Sequence, residues 1–131
     1  MRAGRLLAIG VVAAAAAGVG IAAAHRSEGF VVTRLATDAR DAKLVNAWGL
    51  AASPTGPWWV ANEARDASTL YAATGQKQAL TIAVAGGPTG IAYSGGHGFV
   101  VRAGGAAGPA RFIYACEDGT IRAWSPTVPH L

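Results

Sequence analysis

This chain is short of the residues that most often carry chemistry. It has one cysteine, three histidines, 11 Lys/Arg and seven Asp/Glu in 131 residues. The lone Cys116 excludes an internal disulfide framework, and its place in the apolar run Phe112-Ile-Tyr-Ala-Cys116 reads as packing rather than chemistry. His25, His97 and His130 lie too far apart for a metal-ligand spacing. His97 falls in a glycine-rich turn and reads as an exposed turn residue. Gly86-Gly-Pro-Thr-Gly90 lacks the Gly-Lys-Ser/Thr of a phosphate loop, and no Gly-x-Ser-x-Gly elbow occurs. There is no Asn-x-Ser/Thr sequon. Past the first 24 residues no apolar pattern holds a 3.6-residue period over a helix length, so the rest of the chain is expected to be nearly free of helix.

What is present begins with a leader. Met1-Arg-Ala-Gly-Arg5 is basic, Leu6–Ala24 is uncharged, and the run ends in Ala22-Ala-Ala24 before His25. A basic segment, an apolar segment and an Ala-x-Ala site describe a secretory signal peptide over residues 1–24. The expected location is therefore secreted or periplasmic, with no stable membrane insertion after cleavage. The competing reading is an uncleaved anchor, since 19 uncharged residues could almost span a bilayer. Without the leader, 107 residues carry nine basic and seven acidic side chains. No Lys/Arg cluster remains, which argues against nucleic acid as a partner.

The remainder is organised by one stretch, Trp48-Gly-Leu-Ala-Ala-Ser-Pro-Thr-Gly-Pro-Trp-Trp-Val60, and a looser copy, Thr89-Gly-Ile-Ala-Tyr-Ser-Gly-Gly-His-Gly-Phe-Val-Val101. In each, a small-apolar strand, a turn and a β-branched or aromatic strand read as a hairpin. Gly49 and Gly90 are 41 positions apart, as are Val60 and Val101. Leu70-Tyr-Ala72 and Ile113-Tyr-Ala115 match at 43, with the two extra residues placed in the loop Ala103–Pro109. A period of about 40 to 45 residues with four short strands per unit is the signature of a β-propeller blade. A plain β-sandwich is the competing fold, since it too has closely spaced strands.

The expected fold is thus all-β: an incomplete propeller of about two four-stranded blades behind a signal-peptide helix. Residues 25–45 form a leader and first strand at Phe30–Leu35. Blade 1 spans 46–87, with strands near Trp48–Ala52, Trp58–Ala61, Thr69–Ala72 and Ala79–Val84. Blade 2 spans 88–126, with strands near Gly90–Tyr93, Phe99–Arg102, Arg111–Ala115 and Thr120–Trp124. Asp118-Gly119 marks a two-residue hairpin turn between the last two, and 127–131 is a truncated tail. Two blades share one interface and leave two apolar sheet faces open, so missing blades or self-association are expected to cover them.

No residue is assigned a catalytic or cofactor-binding role, and no cofactor is expected. Four oxygen donors near strand ends, Asn62, Glu63, Glu117 and Asp118, are the candidates for a divalent cation at a propeller mouth. The competing reading is that Glu117-Asp118 solvates a hairpin and Glu63 pairs with Arg65 or Lys77. Trp48, Trp58, Trp59 and Trp124 offer a carbohydrate-stacking surface on one reading and blade-packing core on the other.

Several motifs in order carry a resemblance. Leu44-Val-Asn-Ala-Trp-Gly-Leu-Ala-Ala-Ser-Pro-Thr-Gly-Pro-Trp-Trp-Val-Ala-Asn62, Ser68-Thr-Leu-Tyr71, Gly86-Gly-Pro-Thr-Gly-Ile91 and Phe112-Ile-Tyr-Ala-Cys-Glu-Asp-Gly-Thr-Ile-Arg-Ala-Trp-Ser-Pro126 resemble the start of a group of uncharacterised secreted bacterial proteins, some with a PEP-CTERM sorting tail. The resemblance implies an NHL-like β-propeller of which this chain holds the N-terminal third or so, without a sorting tail. The family has no established reaction to carry over. The functional expectation is a binding or scaffold module rather than a catalyst; the alternative is a portion of a metal-dependent, lactonase-like hydrolase.

Overall fold

The computed structural model describes residues 29–129. The expected signal peptide and the last two residues of the expected tail lie outside the described residues. The chain divides between Val31 and Val32. The unit from Val32 onward is all-β, and its described residues form three antiparallel sheets, none closed on itself. Among the described residues no helix is long and apolar enough to cross a membrane.

The first sheet is a meander in chain order: β1 (Ala47–Ala52), β2 (Trp58–Asn62), β3 (Ala67–Tyr71) and β4 (Lys77–Ala83). Its strands fall where the small-apolar, β-branched and aromatic runs between turns place them, within two residues at each end. Turn chemistry sets the joins. Gly56 N–H closes the first turn on the Ser53 carbonyl at 3.3 Å. Between β3 and β4, Gly75 N–H donates to the Ala72 carbonyl and Ala72 N–H to the Gln76 carbonyl, both at 2.8 Å. Gly75 takes φ +84°, the left-handed position of a three-residue hairpin loop.

The second sheet departs from expectation. Its order is β5 (Pro88–Tyr93), β8 (Phe112–Cys116), β9 (Ile121–Trp124), while β6 (Val100–Ala103) and β7 (Ala106–Pro109) form a separate hairpin. The strand expected at Phe99–Arg102 does not pair with β5. It pairs with β7, Val100 opposite Pro109 and Ala103 opposite Ala106. β7 lies in what reads as a glycine-rich loop. Gly104 and Gly105 both have positive φ, the requirement of a two-residue hairpin turn. Asp118-Gly119, by contrast, belongs to a three-residue loop like that at Gly75. Gly119 N–H donates to the Cys116 carbonyl and Cys116 N–H to the Thr120 carbonyl, each at 3.0 Å.

The repeat frame shifts accordingly. Ala51 pairs with Trp59, and Ala92 with Ile113. Trp59 therefore corresponds to Ile113, 54 positions on, although Ala51 corresponds to Ala92, 41 on. The 13-residue difference is the inserted hairpin. Leu70 pairs with Trp59 as Ala123 pairs with Ile113, so the match of Leu70-Tyr71 to Ile113-Tyr114 does not hold. Ile113-Tyr114 stands in the place of Trp59-Val60. A further correction concerns Phe30–Leu35, which joins no strand. Its β-branched residues favour an extended backbone, but a strand needs a neighbouring ladder, and among the described residues no strand pairs with it.

The core lies between the two larger sheets. Trp59, Ala61, Leu70 and Ile82 project from one, and Phe112, Tyr114 and Cys116 from the other, with Ile91, Tyr93 and Trp124 packed around them. Trp59 stacks on Phe112 with ring centroids 4.0 Å apart and meets Trp124 at 4.9 Å. The sheets approach most closely at Gly49. A Cβ there would lie 2.8 Å from Ile91 Cγ2 and 2.9 Å from the Ile91 nitrogen, so glycine admits β5 against β1.

Candidate functional site

The acidic candidates converge where the chain crosses from β4 to β5. Gly86 and Gly87 both adopt positive φ, +92° and +68°. This turns their carbonyls toward the β8–β9 loop, where Glu117 N–H reaches Gly87 O at 2.9 Å and Asp118 N–H reaches Gly86 O at 3.2 Å. Gly87 N–H donates to Asp66 Oδ1 at 2.8 Å. Asp66 itself holds a left-handed conformation, φ +46°, after a single 3-10 turn at Glu63–Arg65. Glu63 Oε1 and Glu117 Oε2 flank Gly87, each 3.5 Å from where its Cβ would sit, and the Asp118 carboxylate lies against Gly86.

Three of the four candidates, Glu63, Glu117 and Asp118, thus meet at one crossing, and Asp66 joins them. Asn62 does not. β2 carries its side chain to the opposite face of the sheet, where Nδ2 donates to Thr69 Oγ1 at 2.8 Å. Most of these carboxylates already have donors. Glu63 takes Asn46 Nδ2 at 2.6 Å rather than Arg65 or Lys77. Asp118 takes Thr120 Oγ1 at 2.6 Å and Thr120 N–H at 2.9 Å, with Arg122 at 3.6 Å. The Thr120 hydrogen bonds, aided by Arg122, hold the Asp118 carboxyl below its usual pKa. Among the described residues no three His, Cys, Asp or Glu side chains lie close enough together to hold a metal ion.

The crossing therefore behaves as a latch between the sheets. Gly86→Ala meets two obstacles, a left-handed backbone and the Asp118 carboxylate. It is expected to lower stability by about 1–2 kcal/mol, the cost of a non-glycine residue in that conformation. Gly105→Ala is the control, equally left-handed but with nothing within 4 Å of its Cβ. Urea unfolding of both should show Gly86→Ala losing more, and equal losses would mean that the crossing does not latch the sheets.

A second polar cluster has no signature in the sequence. On the outer face of the first sheet, Thr69 Oγ1 donates to Tyr71 Oη at 3.2 Å, and Tyr71 Oη to Asp41 Oδ2 at 2.6 Å. Lys77 Nζ and Lys43 N–H close on Asp41 Oδ1 at 2.7 and 2.9 Å. Asn62, Thr69, Tyr71 and Asp41 are all buried, and Asn62 Oδ1 has no hydrogen-bond partner among the described residues. Burial first, then the Asp41 hydrogen bond, raises the Tyr71 phenol to about 12. Asp41 is moved the other way. Burial opposes its charge, but the bonds from Lys77, Tyr71 and Lys43 outweigh burial and leave its pKa lowered.

The tryptophans divide two and two. Trp59 is core and Trp124 half-buried beside it, while Trp48 and Trp58 stand 63% and 46% exposed, Trp58 on the outer face of the first sheet. On that face an apolar groove of about 540 Å³ is flanked by Leu35 and Leu44 and floored by Leu50, Trp58 and Val60. A smaller slot of about 360 Å³ opens between the sheets at Trp59, Tyr93, Phe112 and Trp124, with Arg111 at its edge.

Comparison with family models, with curated proteins and with solved structures gives no match.

Proposed function

We propose that this chain is an exported β-propeller segment, akin to the NHL-like secreted proteins it resembles, and that it serves as a binding or scaffold module rather than a catalyst. On this reading the first sheet is one blade (46–87), and the second sheet with its inserted hairpin is the next (88–126). One observation supports it above the others. Two antiparallel sheets stack face to face on an apolar core, and each leaves an apolar part of its second face exposed. On the first sheet that part carries Leu50 and Trp58; on the second it carries Ala92, Ala115 and Ile121. Apolar sheet faces open to water are association surfaces.

The alternative, part of a metal-dependent hydrolase propeller, draws on the meeting of Glu63, Glu117 and Asp118 at Gly86–Gly87. Calcium titration of the exported chain by calorimetry separates the two. The expected result is no stoichiometric binding up to millimolar calcium, because backbone and side-chain donors compete for these carboxylates. One cation per chain, lost in both Glu63→Gln and Glu117→Gln, would replace the module reading with the hydrolase.

A further inference from the structure

The pairing registers define an operation that carries the first sheet onto the second. It takes Gly49 to Gly90, Ala51 to Ala92 and Leu50 to Ile91, all 41 positions on, and Trp58 to Phe112, 54 on. These pairs have a consequence for faces. Gly49 and Ala51 look into the shared core, but their images Gly90 and Ala92 lie on the outer face of the second sheet. Ile91 and Phe112 look into the core, and their counterparts Leu50 and Trp58 lie on the outer face of the first. The segment carrying Asp41 covers the first sheet's outer face at Asn62, Thr69 and Tyr71, but the parts left open, Leu50–Trp58 on the first sheet and Gly90–Ala92–Ala115 on the second, are repeat images of residues already packed together.

The images also match in shape. Within the chain, Ile91 seats over Gly49, the only residue type that fits there. Gly90 offers the same kind of gap: a Cβ there would touch only Ala115, at 3.3 Å and 3.9 Å. Ala92 and Ala115 beside it are exposed. The counterpart of Ile91 is Leu50, 60% exposed, with Trp58 next to it at the groove. One face is small and open, the other bulky and projecting.

We propose that a second copy of this chain docks head to tail on the first, its Leu50–Trp58 face on the Gly90–Ala92–Ala115 face, with Leu50 over Gly90 as Ile91 lies over Gly49. Such a contact is heterologous: it uses two different patches, leaves one of each free at the ends, and grows into a ring or an open string. It rests on the register of the two sheets and needs no bound ligand, so it stands or falls separately from the calcium titration.

The test uses sedimentation of the exported chain with two single variants. Leu50→Lys places a charge on one face and Ala92→Lys on the other; both sites are solvent-exposed, and Ile121→Lys substitutes for Ala92→Lys should that variant not fold by near-ultraviolet circular dichroism. The unmodified chain should run at twice its own mass or more, rising with concentration. Each variant alone should be a folded monomer. Mixed in equal amounts they should form a complex of two chains and nothing larger, because each keeps the face the other lacks. A folded wild-type monomer at about 100 μM, a variant that still assembles, or a mixture that stays monomeric while the wild type associates would each overturn the proposal; the second would mean a two-fold contact of one face with itself, which the variant altered on the other face keeps intact.

Discussion

Trp59→Ala is expected to lower the stability of the domain by about 3–5 kcal/mol, the usual cost of emptying a large aromatic site in a core. Trp59 is 4% exposed and is the side chain on which the two sheets meet. It stacks on Phe112 at 4.0 Å, touches Trp124 and pairs across its own sheet with Leu70. Alanine there would remove the ring from both layers at once. A domain of this size has a net stability of about 5–15 kcal/mol, so the loss is a large part of the whole. The adjacent Trp58→Ala is the comparison. Trp58 is 46% exposed on the other face, and surface changes of this kind usually stay within about 0.5 kcal/mol. Urea midpoints, taken below any concentration at which the chain associates, should separate the neighbours widely. Similar shifts for both would mean that β2 does not turn these two rings to opposite faces.

Asp41→Asn is expected to cost about 2–3 kcal/mol near neutral pH, the scale of a hydrogen bond to a charged group. Asp41 accepts from Lys77, Tyr71 and the Lys43 backbone, and its own side chain is 6% exposed. Lys77 is 37% exposed and can turn to water, which keeps the loss below that of a fully stranded buried charge. The sign of the pH dependence comes from the two shifts. The folded pKa of Asp41 is lowered, so its contribution is present above the unfolded value near 3.8 and is lost as pH falls through the lower folded one. Tyr71 is raised from 10 to about 12, so its contribution is present below pH 10 and is lost as pH climbs toward about 12. Stability should therefore be flat between these limits and fall on both sides. Asp41→Asn should weaken the acid limb, which Asp118 shares, and Tyr71→Phe the alkaline one, which the buried Tyr114 shares. An acid limb unchanged in Asp41→Asn would assign that titration to another carboxylate.

The strands of the first sheet are legible in the sequence because each is a local pattern. Trp58-Trp-Val60 is an aromatic and β-branched run, and Ser53–Gly56 and Thr74-Gly75 are turns made by neighbours in sequence. Cys116 is legible on the same ground, as one more apolar residue of a buried strand. The meeting of Glu63, Glu117 and Asp118 is legible in part, since all three follow strands that end on one side. Asn62 falls outside that cluster by a single residue of register. Asn62 is still in β2, whose alternation sets it on the face of Trp58 and Val60, whereas Glu63 has left the strand for the 3-10 turn.

What the chain determined by itself was where strands form and where they turn, because β-branched and aromatic runs and glycine φ are settled within a few residues. Which strand lies beside which was decided only in three dimensions. Phe99-Val-Val101 looks like Trp58-Trp-Val60, and on local pattern alone it should pair with β5. Gly104-Gly105 instead lets it fold back on Ala106–Pro109, a contact a few residues away that closes at little entropic cost. Phe112–Cys116 then takes the place beside β5, where Phe112 and Tyr114 can bury against Trp59. The buried chain from Asn62 to Asp41 has the same origin. Asp41 and Tyr71 are 30 residues apart, and nothing in either neighbourhood names the other until the segment before β1 lies across the outer face of the sheet.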